Sequence, residues 1–228
     1  MPKVYYKRLL EIACFSIESC VVAQNAGADR VEFCADYSLG GVTPTYADII
    51  KARQQLHIPL HIIIRPRRGN FMYNDEELNV MKNDILFCKN NNIDGVVFGI
   101  LDSENKINLK ENKKLLDSSN TMATTFHKAI DVCDDMEASF NDLISLGFSN
   151  VLTSGGKKNA SDGVKELKLY HEKFGSKITV IPGGGVRSTI IESLLNETGC
   201  TIFHSAALND STQQIDSNEI KRLKEKLF

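Results

Sequence analysis

The sequence predicts an α/β protein, a (β/α)8 TIM barrel in a single domain, and three observations carry the prediction. Eight short runs rich in β-branched and aromatic residues alternate with eight stretches of helical periodicity. One run, Ile178-Thr179-Val180-Ile181-Pro182, passes into Gly183-Gly184-Gly185 and a helical pattern that opens at Ser188, which is how a buried parallel strand turns into a helix. The chain has 228 residues and is 42% apolar, enough for one sizeable core, and barrels of this length usually form one domain. Eight repeats favour the closed barrel over an open doubly wound sheet.

Taken in order, Leu9 to Ala13 reads as the first strand, and Ser16 caps a helix over Ile17 to Asn25 that ends before Gly27. Arg30 to Cys34 is the second strand. A loop containing Gly40-Gly41 leads to a helix from Thr43 to Gln55, with Pro44 near its first turn. Leu60 to Ile64 is the third strand, between Pro59 and Pro66, and Asp75 to Asn90 is a long helix. Gly95 to Ile100, Met122 to His127 and Asn150 to Thr153 are strands four to six. Their helices run over Leu109 to Asp117, Met136 to Leu146 and Ser161 to Phe174. Thr179 to Pro182 and Thr201 to Ser205 complete the strands, followed by helices over Thr189 to Glu197 and Ser217 to Phe228.

A formal net charge of −2 gives no reason to expect nucleic acid or an anionic membrane as a partner. No apolar run approaches the ~18 to 20 residues of a spanning helix, and Met-Pro-Lys-Val-Tyr-Tyr-Lys-Arg at the start has no apolar signal core. Six cysteines are scattered without a CxxC pair, as expected for reduced thiols in the cytoplasm.

Barrel enzymes carry their sites at the C-terminal strand ends, and side chains two apart in a strand point the same way. Glu11, Glu32, Cys34, Arg65, His127, Thr153 and His204 all fall at or near such ends. Glu11 or Glu32 is the expected base, its pKa raised by apolar surroundings, with His127 as acid or electrophile and Arg65 gripping an anionic group. The competing reading pairs Glu11 or Glu32 with Arg65 as a structural ion pair. His61 lies lower and reads as core, and His57 and His171 as solvated. Thr153-Ser154-Gly155 and Gly183-Gly184-Gly185, together with Ser205, form the expected phosphate cradle. The implied activity is isomerisation, aldol cleavage or hydrolysis of a small phosphorylated or acidic metabolite.

These same residues carry a resemblance. Ser16-Ile17-Glu18-Ser19, Gly27-Ala28-Asp29-Arg30-Val31-Glu32-Phe33-Cys34, Gly40-Gly41-Val42-Thr43-Pro44 and Ile64-Arg65-Pro66-Arg67 follow one another in order. Phe71-Met72-Tyr73, Thr125-Phe126-His127-Lys128-Ala129-Ile130-Asp131, Val151-Leu152-Thr153-Ser154-Gly155, Pro182-Gly183-Gly184-Gly185-Val186 and His204-Ser205 complete the series. The chain resembles the CutC family, long labelled copper homeostasis proteins. The resemblance implies a TIM barrel, a cytoplasmic location and a homo-oligomer, dimer or tetramer. It adds Asp131 to the candidate catalytic residues, and it implies Cu(I) held by Cys34 and Cys14, thiolates being suited to that ion. The sequence departs from the family pattern at Ala13, where many relatives have cysteine, at Arg68 and Lys128, and in a short tail after Leu208.

Overall fold

The computed structural model describes residues 8–209 and 211–228. The segment read for a leader therefore lies outside the described residues, Arg8 excepted. Eight parallel strands are ordered β7-β6-β5-β4-β3-β2-β1-β8. They are β1 Leu9–Cys14, β2 Arg30–Phe33, β3 Leu60–Ile63, β4 Gly95–Phe98, β5 Ala123–Phe126, β6 Asn150–Thr153, β7 Thr179–Pro182 and β8 Ile202–Ser205. The two end strands, β7 and β8, pack beside each other, so the sheet closes into the expected barrel. Eight helices surround it: α1 Ile17–Asn25, α2 Tyr46–Gln55, α3 Asp75–Asn90, α4 Leu109–Ser119, α5 Met136–Leu146, α6 Val164–Phe174, α7 Ile191–Thr198 and α8 Ser217–Leu227.

The boundaries move where local chemistry decides them. Ser16 caps α1 as expected, its hydroxyl accepting from the Ser19 amide while the Ser19 hydroxyl accepts from the Ser16 amide. Helix α2 starts at Tyr46 rather than Thr43, because Thr45 is the residue whose hydroxyl accepts from the Asp48 amide. Pro44 therefore precedes the cap. Helices α6 and α7 also begin later than expected, at Val164 and Ile191, where neither has a side-chain cap.

Alternation divides the strand residues into two sets. Leu10, Ile12, Cys14, Val31, Phe33, Ile62 and Phe203 pack outward with the helices in the main apolar core. The inward set is unusually polar. Glu11, Arg30, Glu32, His61, Thr125 and Asn150 are all buried. The register sets Glu11 beside Arg30 and His204, and Glu32 beside His61. Glu11 therefore sits in mid-strand, below the position expected for it, since β1 continues to Cys14.

Two missing side chains make room for two imidazoles. A Cβ at Gly95 would lie 2.5 Å from His61 Nε2, and one at Gly99 would lie 2.8 Å from His127 Cε1. Close-packed interiors accept such overlap only by strain. Gly95→Ala is expected to lower stability by about 1 to 3 kcal/mol, measured from the urea midpoint, and adding His61→Ser is expected to recover part of the loss. A neutral Gly95→Ala would show that the His61 ring moves at little cost.

Candidate active site at the barrel mouth

A chain of charges crosses the barrel between β2, β1 and β8. Arg30 Nε donates to Glu11 Oε2 at 2.5 Å, and Glu11 Oε1 lies 2.7 Å from His204 Nδ1. Glu32 Oε2 lies 3.7 Å from the same nitrogen, and Glu32 Oε1 accepts from the Cys34 thiol at 3.4 Å. His61 Nδ1 is 3.9 Å from Glu11 Oε2.

The two carboxylates are pushed apart electrostatically. Burial favours the neutral acid in both. For Glu11 it is outweighed by Arg30, His204 and His61, which hold the carboxyl well below the usual range. For Glu32 it prevails: His204 pulls the pKa down, the Glu11 charge pushes it up, and the net shift is upward. The expectation of a raised carboxyl thus holds for Glu32 and is reversed for Glu11. Burial disfavours charge on His204, but Glu11 and Glu32 together hold its pKa above the ordinary value. His61 goes the other way, pushed down to about 4 by burial and Arg30.

This site opens on a cavity of about 350 Å³ at the C-terminal end of the strands. Lys128, Gly184, Gly185, Arg187, His204 and Ser205 lie along it, as do Ala13 and Phe15. Ser205 is bound inward, its hydroxyl donating to Val186 O at 2.6 Å. The triple-glycine turn borders the cavity as expected. Gly184 and Gly185 have φ of 94° and 69°, a backbone region that favours glycine. Gly183 sits against Leu152 and His204, where a Cβ would lie 2.4 Å from Leu152 Cδ1.

The other half of the expected cradle already holds an anion. Asp131 turns its carboxylate into the loop after β6, where Oδ1 accepts from the Thr153 hydroxyl at 2.5 Å and the Gly156 amide at 2.9 Å. Its Oδ2 accepts from the Ser154 hydroxyl at 2.9 Å and from Lys128 Nζ at 2.6 Å, and the Ser154 amide donates to both oxygens. Ser154 Oγ also accepts from Lys128 Nζ, and the Gly155 amide donates to Thr153 Oγ1. Thr153, Ser154 and Gly155 are therefore engaged with Asp131 and with one another, and Asp131 staples this loop.

Arg65 and His127 form a separate cluster. Arg65 pairs with neither Glu11 nor Glu32 among the described residues. Its Nη1 donates to the carbonyls of Leu39, Gly40 and Gly41, and its Nη2 to Gly69, so it clamps two loops. Phe71 joins the pair, 5.2 Å from the guanidinium carbon and 4.8 Å from the His127 ring. His127 Nδ1 accepts from the Ala129 amide, which puts any proton of the neutral ring on Nε2, a buried atom with no partner among the described residues. Burial, with Arg65 beside it, pushes the His127 pKa down to about 3.

The two cysteines expected to share Cu(I) face opposite sides of the sheet. Cys34 points into the barrel beside Glu32 and Gly41, while Cys14 packs in the helix layer within reach of Cys20. Burial raises both thiols well above the ordinary value, and Glu32 adds to the rise at Cys34. A two-thiolate Cu(I) site does not fit this arrangement. Glu11, Glu32 and His204 do bring one ligand atom each within 4.8 Å of one another, an oxygen and nitrogen set suited to harder divalent ions, but Arg30 already neutralises Glu11 there.

Arg30 and Arg187 are site residues absent from the sequence candidates. Of the two, Arg30 was within reach of the sequence. It shares the parity of Glu32 and Cys34, so strand alternation alone places it inward. Lys128 was noted only as a departure from the family pattern, with no hint of its contact to Asp131.

The barrel defines the class: a TIM-barrel protein, with a polar cavity at the C-terminal strand ends. The chain belongs to the CutC family, whose model matches residues 8–209. It is 39% identical over 200 residues to a CutC family protein of Chromobacterium violaceum, covering 88% of this chain and 81% of that one. A CutC family protein of Photorhabdus laumondii is 41% identical over 198 residues, covering 87% and 79%. The structure of CutC from Streptococcus agalactiae, a protein named for copper homeostasis, superposes with a TM-score of 0.84 at 33% identity, covering 87% of this chain and 98% of that one. Phosphoribosyl anthranilate isomerase of Thermotoga maritima shares the fold alone, with a TM-score of 0.65 at 12% identity over 97% of this chain and 98% of that one.

Two measurements probe the site's electrostatics. His127 is neutral in the folded chain down to about pH 3, whereas the unfolded imidazole takes up its proton near pH 6.5. Its contribution to stability is therefore full above pH 6.5 and is lost as the pH falls from 6.5 towards 3, by up to ~1.4 kcal/mol per unit. Urea unfolding free energies of His127→Leu are expected to fall less steeply between pH 6.5 and 4 than those of the parent. Equal slopes would mean that solvent protons reach the folded imidazole. Separately, Asp131→Ala strands the Ser154 and Gly156 amides and is expected to cost about 2 to 4 kcal/mol, read from the denaturation midpoint.

Proposed function

We propose that this protein is an enzyme acting by acid–base chemistry on a small acidic or phosphorylated metabolite held at the barrel mouth. One observation carries the reading: the Glu11–His204–Glu32 array, with one carboxyl held ionised and the other pushed towards neutrality, stands against a cavity lined by Lys128 and Arg187. Pairs of titratable groups driven apart in this way are the signature of assigned acid and base roles.

His204 is the group that meets the ligand. Glu11, fixed by Arg30, accepts from Nδ1, so proton exchange with a ligand falls to Nε2. Glu32 stands behind as a proton store. Arg187, the amides of Gly184 and Gly185, and Lys128, whose ammonium also holds Asp131, suit the anionic part. His127 remains the candidate neutral electrophile, and Arg65 supports the loops around it. Isomerisation, aldol cleavage and hydrolysis all use this equipment. A cytoplasmic setting suits six buried, unpaired thiols, and no helix of the described residues is long and apolar enough to cross a membrane.

The test is a metabolite panel read by thermal shift, followed by turnover. Phosphorylated or acidic compounds are expected to raise the melting temperature in proportion to occupancy. His204→Ala is expected to lower turnover of the active compound by about 10² to 10⁴, and Glu32→Gln is expected to flatten the pH profile. A panel without a single anionic hit would sink the proposal. The family's copper name supports a rival role, Cu(I) binding at Cys34. Anaerobic Cu(I) titration decides it: one tightly bound equivalent that disappears in Cys34→Ser would put copper first, and our reading expects the parent and the variant to titrate alike.

A further inference from the structure

A second cavity of about 530 Å³ adjoins the mouth, between the start of α1 and the loop joining β8 to α8. Ala13, Phe15, Tyr37, Leu208 and Gln213 line both spaces. The boundary between them is therefore one set of five side chains, and the one contributed by β1, Ala13, is only a methyl group. The loop that forms its outer wall is a small hairpin. Leu208 bridges Ile215, and the Asn209 amide donates to Gln214 O at 2.7 Å. Ala207, at the hairpin's base, is buried with φ of 47°, a conformation a non-glycine residue holds only when its surroundings impose it.

The two spaces differ in chemistry. The mouth carries Lys128 and Arg187. Among the described residues the second cavity has no lysine or arginine along it, and its one charged side chain is Glu18. Its apolar part is built from Val22, Leu208 and Ile215 and from the rings of Phe15 and Tyr37, which meet edge to face at 5.1 Å. Ser16 and Ser19 are already engaged in capping α1, so the helix start offers little to an anion. The amide side chains of Gln213 and Gln214 are its neutral hydrogen-bonding groups.

We infer that the two cavities are one two-lobed site, and that its ligand joins an anionic head at the mouth to an uncharged aromatic or heteroaromatic tail in the second lobe. The inference rests on the proposed anion-binding role of the mouth and narrows its substrate class. Glu18 disfavours a second anion in this lobe. Aromatic rings suit the tail because Phe15 and Tyr37 offer edge and face contacts that orient a flat group, and pockets of this kind use a few polar groups to set orientation. Ala13 is the specificity-determining position, since any larger side chain there closes the passage.

The experiment uses the whole chain, three probes and methyl-detected NMR titration. The probes are inorganic phosphate, 4-phenylbutyl phosphate and 4-phenylbutanol. The aryl phosphate is expected to bind at least about tenfold more tightly than phosphate, shifting methyl signals of Val22 and Ile215, which line the second lobe alone and which phosphate leaves in place. Val22→Asp, at a position that lines the second lobe and not the mouth, is expected to abolish that gain while phosphate binding is unchanged, and Ala13→Leu is expected to reduce the gain. Tyr37→Ala, at a half-exposed position where folding is not at stake, is expected to reduce it. If phosphate binds but the tail adds no affinity and moves none of these methyls, the two-lobed site is wrong and the anion-binding mouth stands. If only the alcohol binds, at the Val22 and Ile215 methyls, the aromatic lobe stands and the anion-binding mouth falls. If no probe binds, both are overturned.

Discussion

Glu11 is an ionised carboxylate sealed inside the barrel, and the other interior residues are arranged around its charge. An isolated charge in such a place would neutralise or unfold the chain. Arg30 on one neighbouring strand and His204 on the other prevent this, one on each oxygen. With that negative charge fixed, a second carboxylate nearby cannot easily ionise, so Glu32 holds its proton more tightly and His204 is drawn towards the cation. The ladder register makes the arrangement obligatory, since Glu11 faces Arg30 and His204 across its two strand pairings. Fold and site are therefore one problem here. The pairing of β1 with its two neighbours also sets the proton inventory of the mouth.

Much of this was legible in the sequence because strands alternate. Glu11, Glu32, Cys34 and His204 were placed inward by parity, and all four point inward. The same rule would have found Arg30, had the strand been read from its first residue rather than its last. What alternation cannot supply is the pairing. Arg65 shares the inward parity and looked like the natural partner for a carboxylate. It stands instead at a strand end where two loops present a set of carbonyls, and four of them claim its guanidinium. Loop conformation of that kind depends on positive-φ glycines such as Gly40 and Gly41, whose exact course a sequence does not disclose.

The thiols show the same limit. A cysteine at the end of β1 and another just beyond β2 are neighbours along the ladder, and the Cys34 amide donates to Cys14 O at 2.8 Å. Their side chains nevertheless leave the sheet on opposite faces, because the β1 cysteine falls one residue beyond the inward Ala13. A shift of one position along a strand is enough to remove a shared ligand set while leaving the family's overall pattern intact.

The Asp131 carboxylate has a different consequence. Many barrel loops take their final shape only when a substrate's charged group arrives, and they relax again when it leaves. Here the organising charge is tethered to the chain and cannot be diluted away or washed out. Its local concentration is that of an intramolecular partner, whatever the metabolite level outside. The segment that follows β6 is thus ordered in the resting protein. The entropy of arranging it is settled during folding, so none of it is charged against the arriving molecule, and the neighbouring turn after β7 is presented ready-made.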